Sequence, residues 1–247
     1  MSKHTGQLGI PDGIDVDSII QSATVVTDLA PYCSVINIDV DHNKVIDSVN
    51  ELFKNLGIDD YDAFLKSQII EFARRQSESG HHVDVPWAFD VNLNHLPGLA
   101  GKARWLDNRG TFEYIRKNGV DPADFTELLS DLDGLYVGDL IKNVLAYHKE
   151  NYKNEYRYVR VTFMWLCAGQ RYNFHVDPED VMSIRYHIPV FTNEDCFWLF
   201  DDNDTHEYYK LHMAPGNVWE VDVSSIRHTV VNKSSIHRLH ILLTVCV

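Results

Sequence analysis

At Glu155 the hydrophobic pattern of this 247-residue chain changes period, and that change limits what it can fold into. Before it, apolar residues recur at helical spacing. Asp41 to Gly57, DHNKVIDSVNELFKNLG, opens on a capping aspartate, sets Val45, Val49, Leu52, Phe53 and Leu56 on one face and stops at a glycine, which predicts an amphipathic helix. YDAFLKSQIIEFARRQ from Tyr61 carries a similar stripe, Asp121-Pro122 reads as the cap and first-turn proline of a third helix, and GDLIKNVLAYHKEN from Gly138 reads as a fourth. After Glu155 come short segments rich in Val, Ile, Tyr, Phe and Trp, broken by the turn signals DPED, NED, DDND, APGN and NKSS. The expected strands are Tyr156–Leu166, Ser183–Phe191, Phe197–Phe200, Glu207–His212, Val218–Val223, His228–Val231 and Arg238–Val245. Short strands at this spacing predict a sandwich or jelly roll, and CSVINIDV and HHVDVPWAFDV upstream can extend its sheets.

No repeat, low-complexity tract or linker divides the chain, so residues 1–247 are expected to form a single domain, mainly β with N-terminal helices. Within it, 1–155 is a helix-rich buttress with support strands and a lid, and 156–247 is the β half. Residues 1–14, polar and without periodicity, read as a loose arm. With 45% apolar residues the chain can bury a sizeable core. No run approaches the roughly 18 to 20 apolar residues of a membrane helix, and the N-terminus lacks the apolar core of a secretory signal, so a cytoplasmic protein without membrane contact is expected. A formal net charge of -14 repels polyanions and argues against nucleic acid as a partner, leaving a small molecule. Cys33, Cys167, Cys196 and Cys246 follow no C-x-x-C spacing and read as free thiols in the core.

The segment YNFHVDPEDVMSIRYHIP carries the first chemical signal. Side chains two apart on a strand point the same way, so His175 and Asp177 can converge on one point, and an imidazole beside a carboxylate suits a borderline divalent metal. Two ligands hold such a metal loosely, and His228 in SSIRHTVVN is the natural third. His-x-Asp with a distant His is the 2-His-1-carboxylate set of non-haem Fe(II) oxygenases. The pattern is also cheap by chance in a chain with 13 histidines, and an ordinary polar strand end stays open on spacing alone.

Arg238, ten residues beyond His228, begins the otherwise apolar strand RLHILLTV. A guanidinium facing a core needs an anionic partner. That partner is either an Asp or Glu of the chain or a ligand carboxylate held by the planar fork, as 2-oxoglutarate would supply. In SIRYHIPVF, Arg185 and His187 share one strand face, again two basic groups that ask for a negative partner.

HVD at 175–177, RYHIP at 185–189, PGNVWEVD at 215–222 and HTVVN at 228–232 followed by Arg238 together resemble the aspartyl/asparaginyl β-hydroxylase family of Fe(II)/2-oxoglutarate dioxygenases. The resemblance covers roughly Tyr156 to Val247 and is nearest the branch with small bacterial proline hydroxylases, which has an aspartate after the first histidine. It implies a double-stranded β-helix, a cupin-like jelly roll. It implies His175, Asp177 and His228 as iron ligands and Arg238 as partner of the distal carboxylate of 2-oxoglutarate. Arg185 and His187 would lie near the cosubstrate or its iron-bound end. The chain stops at Val247, directly after the last expected strand, without the C-terminal extension associated with proline hydroxylases, which argues against a proline substrate.

The activity so implied uses Fe(II), 2-oxoglutarate and O2, with ascorbate assisting, to hydroxylate an unactivated C–H of a small amino acid or amino-acid-derived metabolite. Asp177 in the carboxylate position argues against halogenation. Val85 to Gly110 is expected to form a lid or pocket wall, with Trp87, Asn92, Asn94, Arg104 and Arg109 able to read a zwitterion; a surface connection is the other reading. Arg160 and Arg171 could hold a substrate carboxylate, and Asp201, Asp202 and Asp204 read as a solvated turn. Two readings from other classes remain: a hydroxylase of Asp or Asn side chains in proteins or peptides, and a cupin-like module that binds a metal or small acid without turnover.

Overall fold

In the computed structural model of the protein, the described residues are 15–55, 57–67, 88–92, 132–152, 158–172, 174–176, 184–202, 205 and 207–246. Asp41 caps the first long helix, α2 (His42–Asn55), as its position predicts: its carboxylate accepts the Lys44 amide at 3.2 Å and its carbonyl accepts the Val45 amide. The helix ends where Gly57 turns to φ 74°, which lets the Gly57 and Ile58 amides fold back onto the Lys54 and Phe53 carbonyls. Of its expected stripe, Val45, Val49, Leu52 and Phe53 are buried in the core, and Leu56 lies outside the described residues. The helix expected from Tyr61 is helical over 61–67; its remainder, and the helix expected at Asp121-Pro122, lie outside the described residues, as do residues 1–14.

The helix α3 (Tyr136–Tyr152) packs against α2. Gly138 is required where the turn ahead of α3 folds over its first turn, because a Cβ would collide with the backbone of Leu132. Ser48 of α2 accepts the Val137 amide at 3.1 Å, so a buried hydroxyl satisfies a helix-start donor that would otherwise be orphaned. A short helix that sequence periodicity missed, α1 (Val16–Ser22), is capped by Asp15.

Among the described residues, ten strands form two sheets. They are β1 (Thr24–Val26), β2 (Cys33–Ile36), β3 (Ala88–Asn92), β4 (Tyr158–Leu166), β5 (Ile184–Phe191), β6 (Cys196–Asp202), β7 (Glu207–Leu211), β8 (Val218–Val221), β9 (Arg227–Asn232) and β10 (Arg238–Cys246). The larger sheet has the order β2-β8-β5-β10-β4-β3 and the smaller β1-β7-β6-β9. All seven strands expected after Glu155 are present, and β2 and β3 fall within the two upstream stretches expected to extend the sheets. Within the stretch expected as a lid, pocket wall or surface connection, Ala88–Asn92 forms the strand β3, antiparallel to β4; Trp87, Asn94, Arg104 and Arg109 lie outside the described residues. The sheets and short strands are those of a jelly roll, as expected.

Period-two alternation sorts the larger sheet into two chemically different faces. Tyr186, Ile188, Val190, Leu239, Ile241, Leu243 and Val245 join α2 and α3 in one apolar core on the outer face. The alternate residues, Arg185 and His187 on β5 and Arg238, His240 and Thr244 on β10, turn inward and are buried. The smaller sheet faces them with Trp198, Phe200 and Val230, which pack with Trp219 and Val221. Its outer residues, Phe197, Leu199 and Val231, pack under Ile19 of α1.

Asp201, expected in a solvated turn, is buried in β6 opposite Arg227 of β9, and the two form an ion pair at 2.9 Å on the outer face. The guanidinium also lies over the Phe174 ring at 5.2 Å. The turn signal DDND hides this because two aspartates in sequence look solvated until a cross-strand arginine is known. Asp201→Asn should therefore lower unfolding free energy by about 3 kcal/mol, since it takes the counter-charge from a buried guanidinium; urea denaturation would measure it.

Candidate active site

β9 is the wall on which the site is assembled. Gln170, Tyr172 and His175 hydrogen-bond to it: Gln170 accepts the Asn232 amide, Tyr172 donates its amide to Val230, and His175 and His228 exchange both backbone hydrogen bonds at 2.9 and 2.8 Å. Directly opposed residues in an antiparallel pair present side chains on the same face, so this exchange brings two histidines 53 positions apart, counted from 175 to 228, into register. Their ring centroids are 4.5 Å apart. His228 is buried, and its Nδ1–H donates to the Ile226 carbonyl at 3.0 Å, which leaves the lone pair on Nε2, the form a metal-binding histidine needs. Asp177 lies outside the described residues, and among those described no group of three His, Cys, Asp or Glu is arranged to hold a metal.

Facing this pair, aromatic and imidazole rings run across the interior. Trp198 lies 5.2 Å from His228 and 5.1 Å from His187, and His187 lies 5.7 Å from His240, centroid to centroid. His187 is fully buried, and both its ring nitrogens lack hydrogen-bond partners among the described residues. Burial, and after it the charge of Arg238, holds His187 well below the ordinary histidine range, so it is neutral at physiological pH.

Arg238 is 1% exposed. Its Nη2–H donates to His240 Nδ1 at 2.8 Å, while Nη1 has no hydrogen-bond partner among the described residues. No ion pair reaches it among those residues. Burial lowers its pKa to about 10, which leaves it charged at neutral pH. A buried cation beside unpartnered donors is costly unless an anion completes it.

Register fixes the depth of each group. Arg238 pairs with Leu166, His187 pairs with Leu242, and Arg185 pairs with Thr244, itself opposite Arg160 of β4. From 238 to 244 along β10 is about 20 Å at ~3.3 Å per residue, so the backbones of Arg238 and Arg185 mark opposite ends of the inner face. His187 lies between them. Arg171, by contrast, is exposed where it bridges Val231. The residues that sequence reasoning missed are His240 and Trp198. His240 had a legible signal, because it stands two positions from Arg238 on the same strand and so shares its face. Trp198 had none, since only the packing of the two sheets brings it to the histidines.

The jelly roll thus carries an opposed histidine pair and a buried arginine in its interior. Residues 142–246, a segment shorter than half the chain, match the family described as Aspartyl/Asparaginyl beta-hydroxylase. That segment contains all six candidate residues, and over it the likeness to this family of Fe(II)/2-oxoglutarate dioxygenases holds. No curated protein matches the chain.

Among solved structures, a 2OG-Fe(II) oxygenase family oxidoreductase from Burkholderia pseudomallei is 12% identical with a TM-score of 0.37, covering 44% of this chain and 57% of that one. A Pseudomonas putida prolyl-4-hydroxylase is 10% identical with a TM-score of 0.44, covering 94% and 98%. A cupin domain from Bordetella pertussis is 16% identical with a TM-score of 0.29, covering 38% and 85%. The chain thus spans little more than half the length of the first of these, and likenesses this loose carry no functional argument.

Proposed function

We propose that this chain is an Fe(II)- and 2-oxoglutarate-dependent dioxygenase that hydroxylates an unactivated C–H of a small amino acid or amino-acid-derived metabolite. The observation that carries the reading is Arg238, a buried guanidinium with an unpartnered Nη1 and no carboxylate of the described chain against it. The residues fit the groups the reading needs. His175 and His228 offer two opposed imidazoles, with the His228 tautomer set by the Ile226 carbonyl, and Asp177 follows His175 by two positions to supply the carboxylate. Arg238 would take the distal carboxylate of 2-oxoglutarate through its planar fork. His187, held neutral, and Arg185, further along the inner face, would lie toward the metal-bound end.

When bound, iron with 2-oxoglutarate and O2 supplies the oxidising power, and the sum is 2-oxoglutarate, O2 and R–H giving succinate, CO2 and R–OH. The chain contributes position and exclusion of water. Trp198, Phe200, Trp219 and Val221 line the interior with apolar surface, which strengthens the pairing of Arg238 with an anion. We place the catalytic groups in 156–247 and read 1–155 as the buttress of one domain, because α2 and α3 share a continuous core with β4, β5 and β10.

Incubation of the Fe(II) protein with 2-oxoglutarate, ascorbate and a panel of free amino acids should release succinate with one of them well above the amino-acid-free rate. Stimulation by Asp- or Asn-containing peptides and by no free amino acid would transfer the reading to a side-chain hydroxylase. Binding of metal and 2-oxoglutarate with no succinate from any substrate would favour the non-catalytic module.

A further inference from the structure

The contact between Arg238 and His240 fixes more than a distance. A guanidinium has hydrogens to give and no lone pair to accept with, so His240 Nδ1 must be the acceptor at 2.8 Å. The ring proton is then on Nε2, at the far side of the imidazole. That nitrogen is buried and has no hydrogen-bond partner among the described residues. His240 is also kept in its neutral form, by burial first and by Arg238 second. Two donors on the inner face, Arg238 Nη1 and His240 Nε2, therefore have no acceptor among the described residues, and the neutral His187 ring stands 5.7 Å away.

We infer that His240 is a positioning residue for Arg238, its Nδ1 accepting from Nη2 and so holding the guanidinium with Nη1 left to meet the distal carboxylate of a dicarboxylic 2-oxo acid. This rests on the proposed reading of Arg238 as a carboxylate partner. It explains why a histidine occupies the inner-face position next to Arg238 on an otherwise apolar strand. An unrestrained arginine has many rotamers, and a fork fixed in advance loses less entropy when the anion arrives. A single ring thereby aims the cation.

Two variants test the positioning. His240→Leu removes both ring nitrogens, while His240→Asn keeps an acceptor oxygen near the place of Nδ1 and loses the distant N–H. Titrated anaerobically into the Fe(II) protein, 2-oxoglutarate should bind His240→Leu at least ~10-fold more weakly than the wild type, the factor equivalent to one lost buried hydrogen bond. His240→Asn should recover part of that loss. 2-Oxobutanoate, which lacks the distal carboxylate, should bind wild type and His240→Leu alike, whereas general damage to the interior would weaken both ligands.

Wild-type affinity for 2-oxoglutarate in His240→Leu, or equal weakening in the Leu and Asn variants, would overturn the inference. Nitrogen-15 spectra of the ligand-free protein give an independent decision: His240 should show Nε2–H and an unprotonated Nδ1 at neutral pH. An Nδ1–H tautomer would overturn the inference whatever the protein binds. Failure of the wild type itself to bind 2-oxoglutarate would instead overturn the proposed function, leaving the spectra to decide the pairing with Arg238.

Discussion

His228→Ala is expected to bind Fe(II) more than ~100-fold more weakly than the wild type and to show no measurable succinate release. Loss of groups that merely orient a metal ligand already reduces affinity by about 10- to 100-fold, so removal of a ligand must exceed that range. The same outcome is expected for His175→Ala and Asp177→Ala, since all three are proposed to hold one ion. The fold should survive in His228→Ala, because the exchange that joins residue 175 to residue 228 is made by backbone groups and does not need the imidazole. Removal of the ring also takes away its contacts with Trp198 and Phe200, so a modest fall in melting temperature should accompany the loss of metal. Isothermal titration with Fe(II) under anaerobic conditions, with circular dichroism as the check on folding, measures both. Near-native activity in any of the three variants would remove that residue from the metal site.

Arg238→Met should leave iron affinity nearly unchanged and weaken 2-oxoglutarate binding by at least ~30-fold. The lost interaction is charge-assisted and sheltered from water, worth on the order of 2 to 5 kcal/mol, part of which is the penalty for a carboxylate left unpaired; the low end of that range corresponds to the ~30-fold factor. The variant should also be at least as stable as the wild type without ligand, because it replaces a buried guanidinium whose Nη1 is unpartnered by an apolar side chain of similar length. That opposite movement of stability and affinity separates a ligand-binding arginine from a structural one. Unchanged 2-oxoglutarate affinity together with a large loss of stability would make Arg238 a structural residue and take away the main support for the cosubstrate.

Local order was legible along the chain wherever one short-range rule was enough. Asp41 and Gly57 mark the ends of α2 because capping acts over three or four residues. Alternation on β5 and β10 told which residues share a face, and so placed Arg185 with His187 and Arg238 apart from Leu239. His175, His228 and Arg238 were named from residue type and spacing, and the family likeness over 142–246 agrees with that segment as the chemical half. What sequence could not supply depends on which strands meet. The two-way backbone exchange that puts the His175 and His228 rings 4.5 Å apart joins segments separated by four strands, and no local rule specifies it. Asp201 looked solvated until β6 and β9 paired it with Arg227. His240 carried its signal in sequence, but its role depends on a tautomer that only the direction of the Arg238 guanidinium sets. The sequence by itself thus determined elements, faces and the chemical types available. Tertiary structure decided which of those types face one another, because period and capping act within a few residues while strand pairing and sheet packing join residues far apart in the chain.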